Sequence, residues 1–413
     1  KATGLHGQGW EAVNIGGSRD PVTVRAFLPS LQTASLPSVG EDSKSRLMAE
    51  TLRWGILSTA GIACKNWEAI RNSGNGTVTA VASRDAAKAQ QFIDDCQSEV
   101  PFDNVPRAIG GYDEIITADD VDAVYIPLPT GLRKEWVIKA ANAGKHVMCE
   151  KPCAISHEDL VEMTDACAAN NVQFMDGIMY MHSDRMPKLR AALDDSSNVG
   201  QITRIASAFS FCAPPEFLAG NIRLSSELEP AGCLGDLGWY TIRATLFVMN
   251  YEMPKSLRAT MLSSASRDDS PDQVPTELSA ELFFDNGISA TFYNSFLTNH
   301  QQWLHVSGDK GNIRVDDLVL PYSEGELDFH INNAQFVIEG CKFTMEKHLR
   351  REFVAEPGGN DPAAQETKLF RNFGDLALGG APDPFWAEAA LKTQMVLDAC
   401  LESAQNGSKL IEF

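Results

Sequence analysis

The stretch "LRWGILSTAGIACKNWEAIRNS", residues 52–73, opens with a short apolar run, breaks at small residues, and resumes as a helix former. That order reads as a buried strand, a tight turn and a helix. The alternation repeats downstream. "TVTAVAS" (77–83) and "VDAVYIPLP" (121–129) read as strands, as do "HVMCE" (146–150) and "VQFMDG" (172–177). Between them "RDAAKAQQFIDDC" (84–96) and "LRKEWVIKAANAGK" (132–145) read as helices, the second closed by Gly144 with Trp136, Val137, Ala140 and Ala141 on one face. Ser156 is expected to cap a further helix through Asn170, with Glu158 and Asp159 in its first turn, where the dipole favours acids. Strands that are apolar throughout and alternate with helices predict a parallel sheet covered on both faces. The fold class expected is therefore α/β, with a Rossmann-type doubly wound sheet over 52–178.

Past a helix near 185–194 the pattern changes. "QITRIASAFSF" (201–211), "ELSAELFFDNGISATFYNSFL" (277–297) and "QWLHVSGDKGNIRVDD" (302–317) are strands joined by tight turns. Asp285-Asn286-Gly287 is a hairpin signal, because Asn-Gly accepts the positive φ such turns require, and Gly308 to Gly311 is a second turn. An α+β domain with a large, mostly antiparallel open sheet is expected over 179–413, its strands within about 200–345 and its last helix, "AEAALKTQMVLDACLESAQNG" (387–407), packing back. Residues 1–51 are rich in Gly, Ser and Pro without periodicity. They read as a flexible extension, an arm around a neighbouring subunit, or the remnant of a targeting segment.

The chain has 413 residues, 44% hydrophobic and 22% charged, which suits a globular protein of more than one domain. Its net charge of −20 argues against a nucleic-acid partner. No eighteen-residue apolar run predicts a membrane span. The nine cysteines are scattered, as reduced thiols are in a cytoplasmic protein, and Cys149 with Cys153 has no second cluster to make a zinc site. No metal is expected.

Ligands of doubly wound sheets bind at the carboxyl ends of the strands. At the first such end Ser58, Ala60 and Ala63 take the three small-residue positions of a dinucleotide fingerprint, with Thr59, Gly61 and Ile62 among them. At the second, Ser83-Arg84 stands where an NAD site usually places an acid. A hydroxyl and a guanidinium suit a 2′-phosphate, so NADP is favoured over NAD. Arg84 read otherwise is a solvated helix start, and Asp85 is the cap of the helix that follows. Pro127, Leu128, Pro129 and Thr130 form the tip of the strand at 121–129, which either borders the crevice or merely ends there. Glu150-Lys151-Pro152 follows the strand at 146–150. Lys151 is either a solvated turn residue or a group facing the crevice, where its charge stabilises an alkoxide and burial draws its pKa toward neutrality. In "AGCLGDLGWYTIRATLFVMN" (231–250), Asp236 and Tyr240 are four residues apart and share one face if helical. Read structurally, Asp236 is a helix N-cap and Tyr240 a half-buried aromatic.

Together these motifs resemble the glucose–fructose oxidoreductase, inositol dehydrogenase and rhizopine catabolism (Gfo/Idh/MocA) family, over nearly all of the chain from Leu52. "CEKP" (149–152) is similar to its Glu-Lys-Pro motif, "GDLGWY" (235–240) to its Asp-x-Gly-x-His/Tyr motif, and "GDKGNIRV" (308–315) to its Gly-x-x-Gly strand turn. "LRWGILSTAGIA" with a tyrosine acid looks most like the branch of dimeric dihydrodiol dehydrogenase and NADP-dependent xylose dehydrogenase. The resemblance implies Lys151 and Tyr240 as catalytic groups, Asp236 in the substrate site, and Glu150 and Lys151 beside the cofactor. It also implies a sugar, polyol or dihydrodiol substrate and a homodimer or homotetramer formed through the open sheet. The chain departs from the family at Arg133, where many members carry a histidine, and at Tyr180-Met181, where many carry Tyr-Arg; His182 and Arg185 are near enough to compensate or to serve the structure. Other readings are a sugar–sugar oxidoreductase that keeps NADP bound and a non-catalytic NADP-sensing regulator.

Overall fold

The computed structural model describes residues 51–322 and 325–413, so the expectations for 1–51 lie outside it except at Thr51. The opening stretch forms strand β1 (Leu52–Leu57) and helix α1 (Gly61–Ser73). They are followed by β2 (Gly76–Ser83), α2 (Ala86–Glu99), β3 (Arg107–Gly110), α3 (Asp113–Thr117), β4 (Ala123–Ile126), α4 (Thr130–Asn142), β5 (His146–Cys149), α5 (His157–Ala169) and β6 (Phe174–Asp176). The six strands form one parallel sheet in the order β3-β2-β1-β4-β5-β6. Its order reverses between β1 and β4, which opens a crevice at their carboxyl ends. The two caps read from the sequence are in place: Asp85 accepts from Ala87 N at 2.9 Å and Ser156 from Asp159 N at 3.2 Å.

The second half begins with α6 (Arg185–Asp194), β7 (Ile202–Ser210) and α7 (Pro215–Gly220), then a π-helical turn at Leu234–Gly238 that runs into α8 (Trp239–Val248). Strands β8 (Ser256–Ala265), β9 (Val274–Phe283), β10 (Ser289–Ser295), β11 (Gln301–Gly308), β12 (Asn312–Val315) and β13 (Leu327–Asn332) follow. After them come the hairpin of β14 (Gln335–Glu339) and β15 (Lys342–Glu346), then β16 (Leu349–Val354), α9 (Gln365–Leu378), α10 (Phe385–Gln405) and β17 (Ile411–Glu412). Nine of these strands form a sheet in the order β16-β13-β12-β11-β7-β10-β9-β8-β17, antiparallel except for the β7–β10 pair. The sheet thus extends beyond 200–345, because β16 and β17 add to its two edges. The Asn-Gly hairpin is present, with Asn286 at φ 61° and Gly287 at φ 75° between β9 and β10.

Three tethers fix the halves around the crevice. Asp176, at the carboxyl tip of β6, pairs with Arg243 of α8 (Nη2 to Oδ2, 2.9 Å) and accepts from Trp239 Nε1 at 2.8 Å. Both charged side chains are fully buried. Helix α9 returns to the first sheet, where Phe370 and Phe373 pack on Trp54 with ring centroids 5.5 and 4.9 Å away, and Phe370 also meets Tyr125. Glu229 reaches from the loop before α8 to the start of α4, accepting from Thr130 N at 3.0 Å and Thr130 Oγ1 at 2.7 Å.

Candidate active site

A cavity of about 800 Å³ lies at the carboxyl ends of β1, β4 and β5. Its wall includes Ala60, Gly61 and Ile62 from the start of α1, Pro127 and Leu128 after β4, Glu150 and Lys151 after β5, and Asp236 and Tyr240 from the second half. These predicted residues come together. Ser58, Thr59, Ser83, Arg84, Pro129 and Thr130 are not on that wall. Ser58 instead shapes the turn: its φ of 124° is one that glycine adopts freely, and its Oγ accepts from Ala60 N at 3.1 Å. Ser83 is buried at the tip of β2 and Arg84 is exposed beside it. The Thr130 hydroxyl is engaged by Glu229, as described.

Lys151 Nζ donates to the Asp236 carbonyl oxygen at 2.8 Å and to Asp236 Oδ1 at 2.9 Å. It also stands 4.7 Å from the centre of the Tyr240 ring, within the range of cation–π attraction. Arg223, missed in the sequence, takes the other carboxylate oxygen (Nε to Asp236 Oδ2, 2.8 Å). Asp236 is therefore no helix N-cap. It occupies the π-helical turn, which carries no side-chain cap, and its carboxylate is shared between two cations. Tyr240 is buried rather than half-buried. Its ring packs edge-on against Phe209 at 5.3 Å, and its carbonyl accepts from Tyr180 Oη at 3.1 Å.

The electrostatics follow from this packing. Burial opposes the Lys151 charge, but Asp236 and then Tyr240 outweigh it and hold the amine above its ordinary value. The expectation that burial draws this lysine toward neutrality is thus overturned by its partner. Burial also works against ionisation of Asp236, yet Lys151 and Arg223 bring that carboxyl down to about 2. The Tyr240 phenol is pushed up to about 12 by burial, with Lys151 pulling the other way and Glu150 and Asp236 adding to the rise.

A second layer of buried groups sets the Glu-Lys-Pro loop. Tyr125 Oη donates to Glu150 Oε1 at 2.6 Å and itself accepts from Asn66 Nδ2 at 2.6 Å. Glu150 Oε2 accepts from Lys151 N at 3.2 Å. Arg133, at the family's histidine position, donates to Leu128 O at 2.7 Å, Glu150 O at 2.9 Å and the Pro152 carbonyl. It thereby clamps the tips of β4 and β5 together. His182 and Arg185 serve the structure: His182 is stacked on Trp386 and bonded to Asn372, and Arg185 binds Asp317 and the Leu318 carbonyl. Burial, then Arg243, lowers the His182 pKa to about 3. No sequence signal pointed to Arg223, since it lies in a single 3₁₀ turn (Ile222–Leu224), too short for a period to assign it a face.

The residues present fit a dinucleotide. Helix α1 begins with no side-chain cap, so its positive end is offered to the cavity. A Cβ added at Gly61 meets nothing within 4 Å, which leaves room for a ligand against the backbone.

Residues 52–178 match the family described as "Oxidoreductase family, NAD-binding Rossmann fold", and residues 187–314 match the "GFO/IDH/MocA C-terminal domain". The chain is 32% identical to D-xylose 1-dehydrogenase (NADP(+)) 2 of Haloferax volcanii, covering 86% of this chain and 98% of that one. It is 28% identical to a dTDP-3,4-didehydro-2,6-dideoxy-alpha-D-glucose 3-reductase of Saccharopolyspora spinosa, over 76% and 92% of the two chains. Its fold is similar to that of a 3-ketoreductase from Actinomadura kijaniata in complex with NADP and TDP-benzene, at a TM-score of 0.69, 23% identity, and coverage of 86% and 98%. The chain belongs to the GFO/IDH/MocA family of oxidoreductases.

Proposed function

We propose that this protein is an NADP-dependent oxidoreductase acting on a CH–OH group of a sugar, polyol or dihydrodiol. In this reading residues 52–178 bind the dinucleotide and 179–413 supply the substrate side. The observation that carries it is the Lys151 ammonium, lodged between the Asp236 carboxylate and the Tyr240 ring on the wall of one cavity with the start of α1. The NADP preference rests on Ser83-Arg84 at the tip of β2 and on the NADP(+) in the name of the Haloferax volcanii relative.

A bound nicotinamide supplies the hydride exchange. The protein's side chains manage charge and proton. Lys151 remains an ammonium at neutral pH, so it acts as a fixed positive donor toward the substrate oxygen rather than as a free base. As a phenolate Tyr240 Oη takes the proton from a substrate hydroxyl, and as the phenol it gives that proton to a carbonyl. The phenolate this creates is stabilised by the Lys151 charge over the ring. Asp236 is the positioning group: with both oxygens occupied by Lys151 and Arg223, it fixes where the ammonium points. Among the described residues, the outward face of the nine-stranded sheet that carries Phe283, Tyr293 and Trp303 is the surface through which two copies would associate; light scattering would read the state directly.

The test is a panel of sugars, polyols and dihydrodiols followed at the nicotinamide absorbance with NADP+ and NAD+. Turnover of at least one CH–OH substrate, faster with NADP+ and lost in Lys151→Ala, is expected. Tight NADP binding with no turnover across the panel would favour the regulator reading instead.

A further inference from the structure

Cys64 and Cys96 are 32 positions apart, yet their sulfurs are 3.6 Å from each other where α1 packs on α2. Cys64 is exposed and Cys96 is buried beneath it. Cys149 and Cys153 also lie close in sequence, but both are closed to solutes; Cys212 and Cys341 are exposed in other parts of the fold. Cys64 and Cys96 thus combine an accessible thiol with a second sulfur directly behind it. A disulfide requires sulfurs about 2.05 Å apart, so an approach of roughly 1.5 Å closes this one.

We propose that Cys64 and Cys96 form a reversible dithiol–disulfide site that takes hydrogen peroxide as its oxidant. The Cys64 sulfur attacks a peroxide oxygen; an S–O bond forms, the O–O bond breaks, and the departing oxygen leaves as water. The Cys96 sulfur then attacks the oxidised Cys64 sulfur; the S–S bond forms, the S–O bond breaks, and the second water carries away the Cys96 proton. In sum two thiols and one hydrogen peroxide give one disulfide and two waters. A dithiol reductant reverses it with two electrons. Burial, then Cys64, pushes the Cys96 thiol up to about 12, so Cys96 is protonated at neutral pH. This agrees with Cys64 rather than Cys96 as the group that meets the oxidant; to resolve it, Cys96 gives up its proton in the step that forms the S–S bond.

The position gives the bond a consequence. Cys64 lies three residues after Gly61, on the helix whose first turn lines the cavity, and Cys96 lies on the helix that follows Ser83-Arg84. Joining them ties the cavity-lining first turn of α1 to the last turn of α2. The site stands apart from the proposed reaction, because its chemistry is read on the thiols themselves.

The test treats the full-length protein with hydrogen peroxide, blocks the remaining thiols with an alkylating agent, and maps the peptides by mass. A cross-linked peptide joining Cys64 to Cys96 is expected, two hydrogens lighter than the dithiol form, undone by dithiothreitol and absent from Cys64→Ser. In the cross-linked protein the dissociation constant for NADPH, measured by fluorescence, is expected to change at least about threefold and to return on reduction. Peroxide converting Cys64 to a sulfinic acid while Cys96 stays alkylatable would overturn the proposal, as would both thiols surviving treatment. A cross-link that forms without altering NADPH affinity would remove the link to the cofactor site.

Discussion

Lys151 and Asp236 are 85 positions apart, yet the lysine Nζ is held by both the carbonyl and the carboxylate of the aspartate, at 2.8 and 2.9 Å. The first comes from the loop after a parallel strand, the second from a π-helical turn in the other half of the chain. A turn of this kind carries one residue more than a regular helical turn, a device found often at functional sites. Here it brings a backbone carbonyl and a carboxylate of one residue to bear on a single ammonium.

Replacing Lys151 by alanine or Tyr240 by phenylalanine should leave NADP binding nearly intact and lower kcat by about 10²-fold or more. Stopped-flow turnover beside a cofactor titration separates the two effects. Unchanged kcat in both variants would exclude the proton roles assigned above.

The Asp236 carboxyl is held at about 2, below its ordinary 3.8. A depressed acid stabilises the fold above its unfolded pKa and ceases to do so as pH falls through its folded value. That contribution, roughly 2 kcal/mol, should be fully present at pH 7 and fade between about pH 4 and pH 2. Asp236→Asn should therefore unfold more easily than the parent at pH 7, with the gap narrowing toward pH 2. Lys151 has the opposite sense, since its raised value keeps its stabilising charge through neutral pH and gives it up only under strongly alkaline conditions. Urea midpoints across pH read both.

Arg84→Ala should weaken NADPH binding by about tenfold or more and hardly alter NADH binding, because the guanidinium has a phosphate to meet in one cofactor only. Its exposure at the tip of β2 makes this variant harmless to folding. Equal losses for both cofactors would remove the phosphate role.

The Asp176–Arg243 pair is fully enclosed. Asp176→Asn or Arg243→Leu should each cost about 3–5 kcal/mol, because the remaining charge has no solvent to turn to. Replacing both together by apolar residues of similar volume should recover much of the loss. A double-mutant cycle in urea measures it.

The first sheet was legible because most of its strands are apolar throughout and bounded by turn residues. The exception, β3, is four residues long and half-polar, too short to show a pattern. Strand β8, "SLRATMLSSA", has only two buried residues and was likewise hidden. Lys151, Asp236 and Tyr240 could be named because each belongs to a compact motif. Long-range partners could not: Arg223 lies in a 3₁₀ turn too short to show a period, and the contact of Asp176 with Arg243 spans 67 positions. Such pairings are decided by tertiary packing, to which local periodicity is blind. The same holds for the pKa of Lys151, whose sign turns on a counter-charge from a distant segment.

Helix α9 belongs by position to the far end of the chain, yet its phenylalanines shield Trp54 of the first strand. Cut after residue 178, the nucleotide-binding half would present a wet aromatic surface. A substrate half grafted from a relative would have to bring its own apolar cover for Trp54 where Phe370 and Phe373 now lie. Residues 52–178 expressed alone are thus expected to expose Trp54 and to be less soluble than the whole chain.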